Sequence, residues 1–338
     1  MGTDYGAIDH MLPLTEATCD SDFAPDKRVF CQRDLAISNS RYNMQISETA
    51  LATSEPLFVQ FVECMRIIRD YHLQLFAEKL ENNLHSETLR VLNHFQQDRT
   101  RAAYCLIANG FVWDAEVIIR VVYETFAKVA FLATASDEQR KELLHEYWEL
   151  LGAVYDRQGA LKTEAAEGLL NRHSSNGDSR VMGALRDRRV YRTDPLEDKR
   201  FRKQLEQRWS FSEILEALRS GRLGNSPLIG IEALAHNYGM SSHFAHANSR
   251  ALDLLEDRAT RGSDILQLEV GHICRMLSDM VSITSFSLFL SERSWAGGNE
   301  MPEPLATAFR AMSESTKPFQ ADFETSQDGL YNNWPIKK

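Results

Sequence analysis

The sequence predicts an all-α fold, built as an up-and-down helical bundle. Apolar residues recur every three or four positions over long stretches, no segment alternates apolar and polar residues as a strand does, and no nucleotide-binding glycine motif occurs. With 43% hydrophobic and 25% charged residues, a chain of 338 residues can bury a substantial core. We expect one helical bundle domain over residues 56–295, with an irregular N-terminal arm (1–55) before it and a short helix and polar tail (296–338) after it.

The individual helices follow from this periodicity and from the residues at their ends. Ser136-Asp-Glu is typical of a helix start, and Asn109-Gly110 of a helix end. A helix at 112–133 is apolar over most of its circumference, as expected of a central helix. We predict further helices at about 56–83, 86–109, 136–170, 195–209, 211–220 and 303–314, and an antiparallel hairpin of helices at 231–255 and 263–290.

Charge and cysteine usage indicate the broad class of the protein. The net charge of −10 excludes a global basic field that would attract nucleic acid or an anionic membrane. The five cysteines are scattered without Cys-x-x-Cys spacing, which is typical of reduced thiols in a cytosolic protein. The N-terminal residues lack the pattern of a signal peptide, and the most apolar stretch (280–290) is too short to span a bilayer. We therefore expect a bacterial cytoplasmic protein without a membrane partner.

The hairpin and the central helix carry the polar residues with the most specific spacing. Tyr238, Ser242 and His246 recur at i, i+4 and i+8, so they share one helix face. Arg120 and Glu124 are an i, i+4 pair on a helix that is otherwise apolar. A guanidinium held by a carboxylate is suited to binding a phosphate, and a histidine to general acid–base work. The same residues could equally form structural polar networks between helices, and the sequence leaves both interpretations open.

A second interpretation of the hairpin is a metal site. Glu269 and His272 are an i, i+3 pair, and a turn near residue 260 would bring His246, with His243 on a neighbouring row, level with them. Glutamates and histidines facing one level of a bundle are typical of carboxylate-bridged metal enzymes. The pattern is incomplete, because the 231–255 helix has no glutamate level with Glu269. We expect no cofactor, and keep a divalent metal on Glu269, His272 and His246 as the alternative.

A basic segment interrupts this acidic chain within a predicted insertion at about 171–225. Between residues 180 and 208 there are ten Lys or Arg and five Asp or Glu residues. Such a segment is either a solvated helix face or a surface that contacts nucleic-acid phosphates. The candidate contacts are Arg186, Arg188, Arg189, Arg192, Arg200, Arg202 and Lys203.

Two motifs resemble an uncharacterised family of bacterial all-helical proteins. Arg120-Val-Val-Tyr-Glu124 is similar to its Arg-x-x-x-Glu signature, and Tyr238-Gly-Met-Ser-Ser242-His-Phe-Ala-His246 to its Tyr-x-x-x-Ser-x-x-x-His signature. That family resembles the HEPN helical bundles, many of which are toxin or defence ribonucleases. HEPN nucleases carry Arg-x(4–6)-His, whereas no arginine precedes His246 at that spacing here. The cation that holds the phosphate must then come from elsewhere, and Arg120 is the obvious donor.

The resemblance implies a HEPN-like protein of bacterial defence or stress response that binds RNA or cleaves it without metal. In this hypothesis His246 is the base, Arg120 holds the phosphate, Glu124 orients Arg120, and Tyr238 and Ser242 position the substrate. The implied partners are RNA, a second copy of the chain, or a second protein of a defence system. The alternatives are a non-catalytic helical protein that dimerises or docks a partner, and a metal-dependent bundle enzyme.

Overall fold

The computed structural model describes residues 45–78, 83–173, 183, 198–222, 228, 230–262 and 264–332. All of them belong to one compact unit, Arg41–Lys338. Within the described ranges the regular structure is entirely helical, which confirms the all-α class. Residues 1–44 of the predicted arm (1–55) and much of the predicted basic insertion lie outside the described residues.

The helices follow the predicted order along the chain. A single π-helical turn, Glu146–Leu150, joins the helix Asp137–His145 to the helix Leu151–His173. The predicted serine caps the first of these helices, because the Ser136 side chain accepts a hydrogen bond from the backbone N–H of Gln139. The helices are α1 (Glu48–Thr53), α2 (Glu55–Glu78), α3 (Leu84–Ala108), α4 (Val112–Thr134), α5 (Asp137–His145), α6 (Leu151–His173), α7 (Lys199–Arg208), α8 (Phe211–Ser220), α9 (Ile231–Ala245), α10 (Ser249–Thr260), α11 (Ile265–Ala296) and α12 (Glu303–Asn332).

Helix α4 is the centre of the bundle, as its apolar circumference predicts. It packs against α3, α9 and α11, and Ile119, Val122 and Tyr123 on it are fully buried. Helix α11 packs in turn on α2, α3 and α12. Polar side chains of α4 that face α9 or α11 therefore lie between helices, where they need partners.

The prediction of one continuous helix over 231–255 is wrong, because the helix is interrupted between α9 and α10. Ala247 adopts φ +45°, a left-handed conformation unusual for alanine, and the Asn248 side chain caps α10 by accepting from the backbone N–H of Ala251. Periodicity alone misses such a break, because the apolar pattern continues on both sides of it. The consequence is a corner at residues 246–248 (below, the corner), where α9 ends at Ala245 and α10 begins at Ser249.

The C-terminal helix is longer than predicted: α12 runs to Asn332, whereas 303–314 was expected. Leu305, Ala308 and Met312 are buried where α12 packs on α2 and α11. The Cys64 thiol on α2 donates to the Ala308 carbonyl at 3.3 Å, which shows how closely these helices approach. The sequence does not predict the second half of this helix, because residues 315–332 are mostly polar and only one face of the helix is apolar.

Among the described helices, α11 is the one whose length and apolar composition would allow a membrane span. In its most apolar window 67% of the residues are buried within the fold. Most of this window therefore packs against neighbouring helices, while Phe286 on the same helix is exposed.

Gly271 on α11 lies in close contact with α12. A Cβ atom added there would lie 2.7 Å from the Phe323 ring. We expect Gly271→Ala to lower the free energy of unfolding by about 1–3 kcal/mol, the usual cost of overpacking. Gly152→Ala in α6 is the matched control: its Cβ meets nothing within 4 Å, so it should be neutral or stabilising. Urea denaturation of both variants tests this, and equal midpoints would contradict a close approach at Gly271.

Two buried histidines make the fold sensitive to mild acid. Burial, and to a smaller extent nearby cationic groups, lowers the pKa of His72 to about 4. Burial, and to a smaller extent Arg140, likewise lowers the pKa of His85 to about 4. In the unfolded chain a histidine takes up its proton near pH 6.5, so stability is complete above that pH and is lost as the pH falls toward 4. We expect each histidine to contribute about 3 kcal/mol to this loss. Unfolding free energies at pH 7 and pH 4.5 should differ less for His72→Gln than for wild type, whereas His145→Gln should behave as wild type, because the His145 side chain is 52% exposed.

Candidate active site on helices α4 and α9

Four of the predicted site residues meet where α4 and α9 pack together: Arg120, Glu124, Tyr238 and His246 (the quartet). Arg120 donates from Nε to Glu124 Oε1 at 3.1 Å and from Nη2 to the Tyr238 hydroxyl at 3.0 Å. The Tyr238 hydroxyl donates to Glu124 Oε1, also at 3.0 Å. Arg120 Nη1 lies 2.9 Å from His246 Nε2. One guanidinium therefore contacts all three other members.

The position of each quartet member follows from local structure. Arg120 and Glu124 lie one turn apart on α4, as their spacing predicts, and Tyr238 lies in the middle of α9. His246 is the first residue after α9, eight positions after Tyr238, so it remains on the face of α9 that Tyr238 presents to Arg120. The His243 ring, with Nδ1 2.8 Å from Asn248 Nδ2, bridges the two sides of the corner.

The quartet is open to solvent on the His246 side and closed on the Tyr238 side. His246 is exposed, while the side chains of Arg120 and Glu124 are 20% and 33% exposed. The Phe211 ring stacks on Tyr238 at 3.7 Å between centroids. Burial, together with the Glu124 carboxylate, raises the pKa of Tyr238, so its phenol keeps its proton at neutral pH. A ligand could therefore reach Arg120 and His246 without unpacking the helices.

The contact between Arg120 and His246 defines the state of the imidazole. A guanidinium has only donors, so His246 Nε2 must accept the hydrogen bond at 2.9 Å. The ring is then neutral, with its proton on Nδ1. A neutral imidazole beside a fixed cation is suited to accepting a proton from a substrate whose negative charge the cation binds.

Ser242 does not join the quartet. It is partly exposed, and its side chain has no hydrogen bond within the described part of the chain. The neighbouring Ser241 is buried instead and donates to Glu116 Oε2 at 2.5 Å. The helical spacing identified the correct face of α9 but not which of the two serines points into the bundle.

Beneath the quartet lies a buried charged cluster that sequence reasoning missed. Glu116, one turn before Arg120 on α4, is fully buried and contacts Arg275, Ser241 and His272, with His272 Nε2 3.0 Å away. Burial by itself would raise the pKa of Glu116, but Arg275, His272 and Ser241 together lower this pKa to about 2. Burial also lowers the pKa of His272, although Glu116 opposes this. The only sequence signal was a glutamate in an apolar helix at i−4 from Arg120.

The same cluster extends along α11 to Asp279. Asp279 Oδ2 accepts hydrogen bonds from Tyr123 at 2.8 Å, from Asn237 at 3.0 Å and from Arg275 at 3.0 Å. Burial raises the pKa of Asp279, while Arg275 opposes it. Helix α9 is thus held by Ser241 through Glu116 of α4 and by Asn237 through Asp279 of α11.

The predicted convergence of Glu269, His272 and His246 does not occur. Glu269 accepts from the Ser47 hydroxyl at 2.5 Å, His272 faces Glu116, and His246 faces Arg120. Across the described ranges no group of three or more His, Cys, Asp or Glu side chains is arranged to hold a metal ion. The predicted level depended on a continuous helix from His246 to a turn near residue 260, and the corner interrupts that helix.

The predicted nucleic-acid contacts divide into two groups. Arg200, Arg202 and Lys203 lie on α7, with Arg200 and Lys203 exposed. Arg208 at the end of that helix is instead an ion-pair partner of Glu146, at 2.7 Å. The remaining candidates, Arg186, Arg188, Arg189 and Arg192, lie outside the described residues.

Comparison with known families agrees with part of the resemblance. No curated protein and no solved structure matches the chain. Residues 96–262 match the model of DUF5677, a family of unknown function, so the expected likeness to an uncharacterised family is confirmed over that segment. The matching segment runs from α3 into the link that follows α10, and it contains all four members of the quartet.

Proposed function

We propose that this protein is a HEPN-like helical protein of bacterial defence or stress response that binds RNA and cleaves it without a metal ion. The observation that carries the proposal is the solvent-open contact between Arg120 Nη1 and His246 Nε2 at 2.9 Å. It joins a phosphate-binding cation to a neutral imidazole, and these are the two groups that cleavage next to a ribose 2′-hydroxyl requires.

In the proposed reaction an RNA phosphate replaces His246 as the partner of Arg120. His246 Nε2 then accepts the proton of the adjacent 2′-hydroxyl, and the 2′-oxygen attacks phosphorus. The bond from phosphorus to the 5′-oxygen breaks, and that oxygen takes a proton from solvent. The products are a 2′,3′-cyclic phosphate and a 5′-hydroxyl. Glu124 and Tyr238 keep the guanidinium in place through their contacts at 3.1 and 3.0 Å.

The role of Arg120 is tested by RNA binding. Replacing Arg120 with glutamine removes the charge while keeping a hydrogen-bonding side chain, so we expect the affinity for a single-stranded RNA to fall about tenfold, the worth of one charge-assisted contact. The measurement is fluorescence anisotropy of a labelled RNA in the presence of EDTA.

Arg66→Gln is the matched control for the Arg120 variant. Arg66 lies on α2 with its side chain 54% exposed and paired with Glu63. Removal of either arginine changes the net charge equally, so a non-specific effect would weaken both variants alike. Equal affinities of all three proteins for RNA would contradict the proposed function and favour a non-catalytic interaction protein.

A further inference from the structure

A groove lies between the two helices that meet at the corner, and none of the four quartet residues lines it. Helices α9 and α10 enclose a volume of about 690 Å³, within the range of small-molecule binding sites. Its walls are mainly apolar and include Met240, Phe244 and Leu254. His243 also lines it, three residues before His246 in the sequence. A ligand in the groove would therefore contact α9 about one helical turn before the residue that we propose as the base.

Gly239 deepens the groove in the middle of α9. Glycine inside a helix is destabilising relative to alanine, so a glycine there often marks a place where a ligand or another segment approaches the helix backbone closely. A Cβ at Gly239 would meet nothing within 4 Å, so no packed side chain or neighbouring backbone of the described protein requires it. The space that this glycine leaves belongs to the groove.

The edge of the groove offers both donors and an acceptor. Exposed Arg250 has no hydrogen bond or ion pair to any described residue. Because His243 Nδ1 accepts from Asn248, the other ring nitrogen, Nε2, carries a hydrogen and can donate. The Asp253 carboxylate, exposed on α10, can only accept.

We propose that this groove binds one nucleotide of the RNA chain, next to the phosphate held by the quartet, with a preference for guanine. The flat base fits against the apolar wall, and Arg250 binds a flanking phosphate. Guanine presents two adjacent donors, N1–H and the exocyclic amine, which match the two oxygens of Asp253. Uracil presents a single donor between two carbonyl oxygens, which the carboxylate repels. This inference rests on the proposed function, because it takes its substrate class from there.

The test uses free nucleotides and the full chain. GMP and UMP are titrated into the protein by calorimetry, and we expect GMP to bind about tenfold more tightly than UMP. Gly239→Phe should fill the groove and weaken GMP binding at least tenfold, while Gly239→Ala should bind as wild type and melt no lower than wild type. Asp253→Asn should reduce the preference for GMP over UMP to about twofold or less.

The outcomes separate this inference from the proposed function. Equal affinity of wild type and Gly239→Phe for GMP, or no GMP binding at all, would overturn the groove proposal whether or not RNA is cleaved. GMP binding that Gly239→Phe abolishes, in a protein without RNA cleavage, would support the groove and contradict the ribonuclease. A change in oligomeric state with Gly239→Phe and no effect on GMP would instead identify the groove as a protein interface and overturn the proposal.

Discussion

Replacing His246 with glutamine should lower the rate of RNA cleavage by about 10²–10⁴-fold, the usual contribution of a general base. Glutamine can still accept a hydrogen bond from Arg120 but cannot take a proton from a 2′-hydroxyl. His246 is exposed and lies after the last residue of α9, so the variant should fold and melt as wild type. Cleavage of a single-stranded RNA in EDTA, followed by identification of the product ends, measures the effect.

His145→Gln is the matched control for this prediction. His145 is also an exposed histidine, with 52% of its side chain accessible, but it lies on α5 and faces Glu149. It should leave cleavage unchanged. Equal cleavage by wild type and His246→Gln would show that the activity belongs to a contaminant or to another site, and activity that EDTA abolishes would favour a metal-dependent enzyme.

Replacing Glu116 with glutamine should lower the free energy of unfolding by about 3–5 kcal/mol, more than Gly271→Ala, because a buried ion pair loses one partner. Glu116 is fully buried and contacts Arg275, His272 and Ser241. The variant leaves the Arg275 cation with Asp279 as its remaining carboxylate partner. Chemical denaturation at pH 7 measures the change in the free energy of unfolding.

An exposed glutamate in a similar ion pair provides the comparison. Glu63 pairs with Arg66 on α2, with both side chains about half exposed, and Glu63→Gln should cost less than about 1 kcal/mol. If Glu116→Gln were as mild as Glu63→Gln, the cluster would not hold α9 against α4 and α11. The quartet would then need another explanation for its geometry, since Ser241 and Asn237 are the residues through which that cluster reaches α9.

Patterns within one helix were predicted well from the sequence. The Arg120–Glu124 pair forms, because residues four apart on a helix are neighbours whatever surrounds them. The apolar circumference of α4 identified the central helix for the same local reason. Which of the two serines, Ser241 or Ser242, forms a contact between helices could not be predicted from neighbouring residues, because it depends on where Glu116 lies on another helix.

The sequence by itself determined the all-α class, the order of the helices and the Arg120–Glu124 pair, because residues four positions apart are neighbours on any helix. Only the tertiary structure decided that His246 contacts Arg120, 126 residues away, and that Glu269 and His272 have other partners. The physical reason is that these contacts depend on how α4, α9 and α11 pack, and on the corner, where the left-handed Ala247 and the Asn248 cap separate α9 from α10. A break of three residues changes no hydrophobic pattern, yet it interrupts the helix that the predicted level of His246 with Glu269 and His272 required.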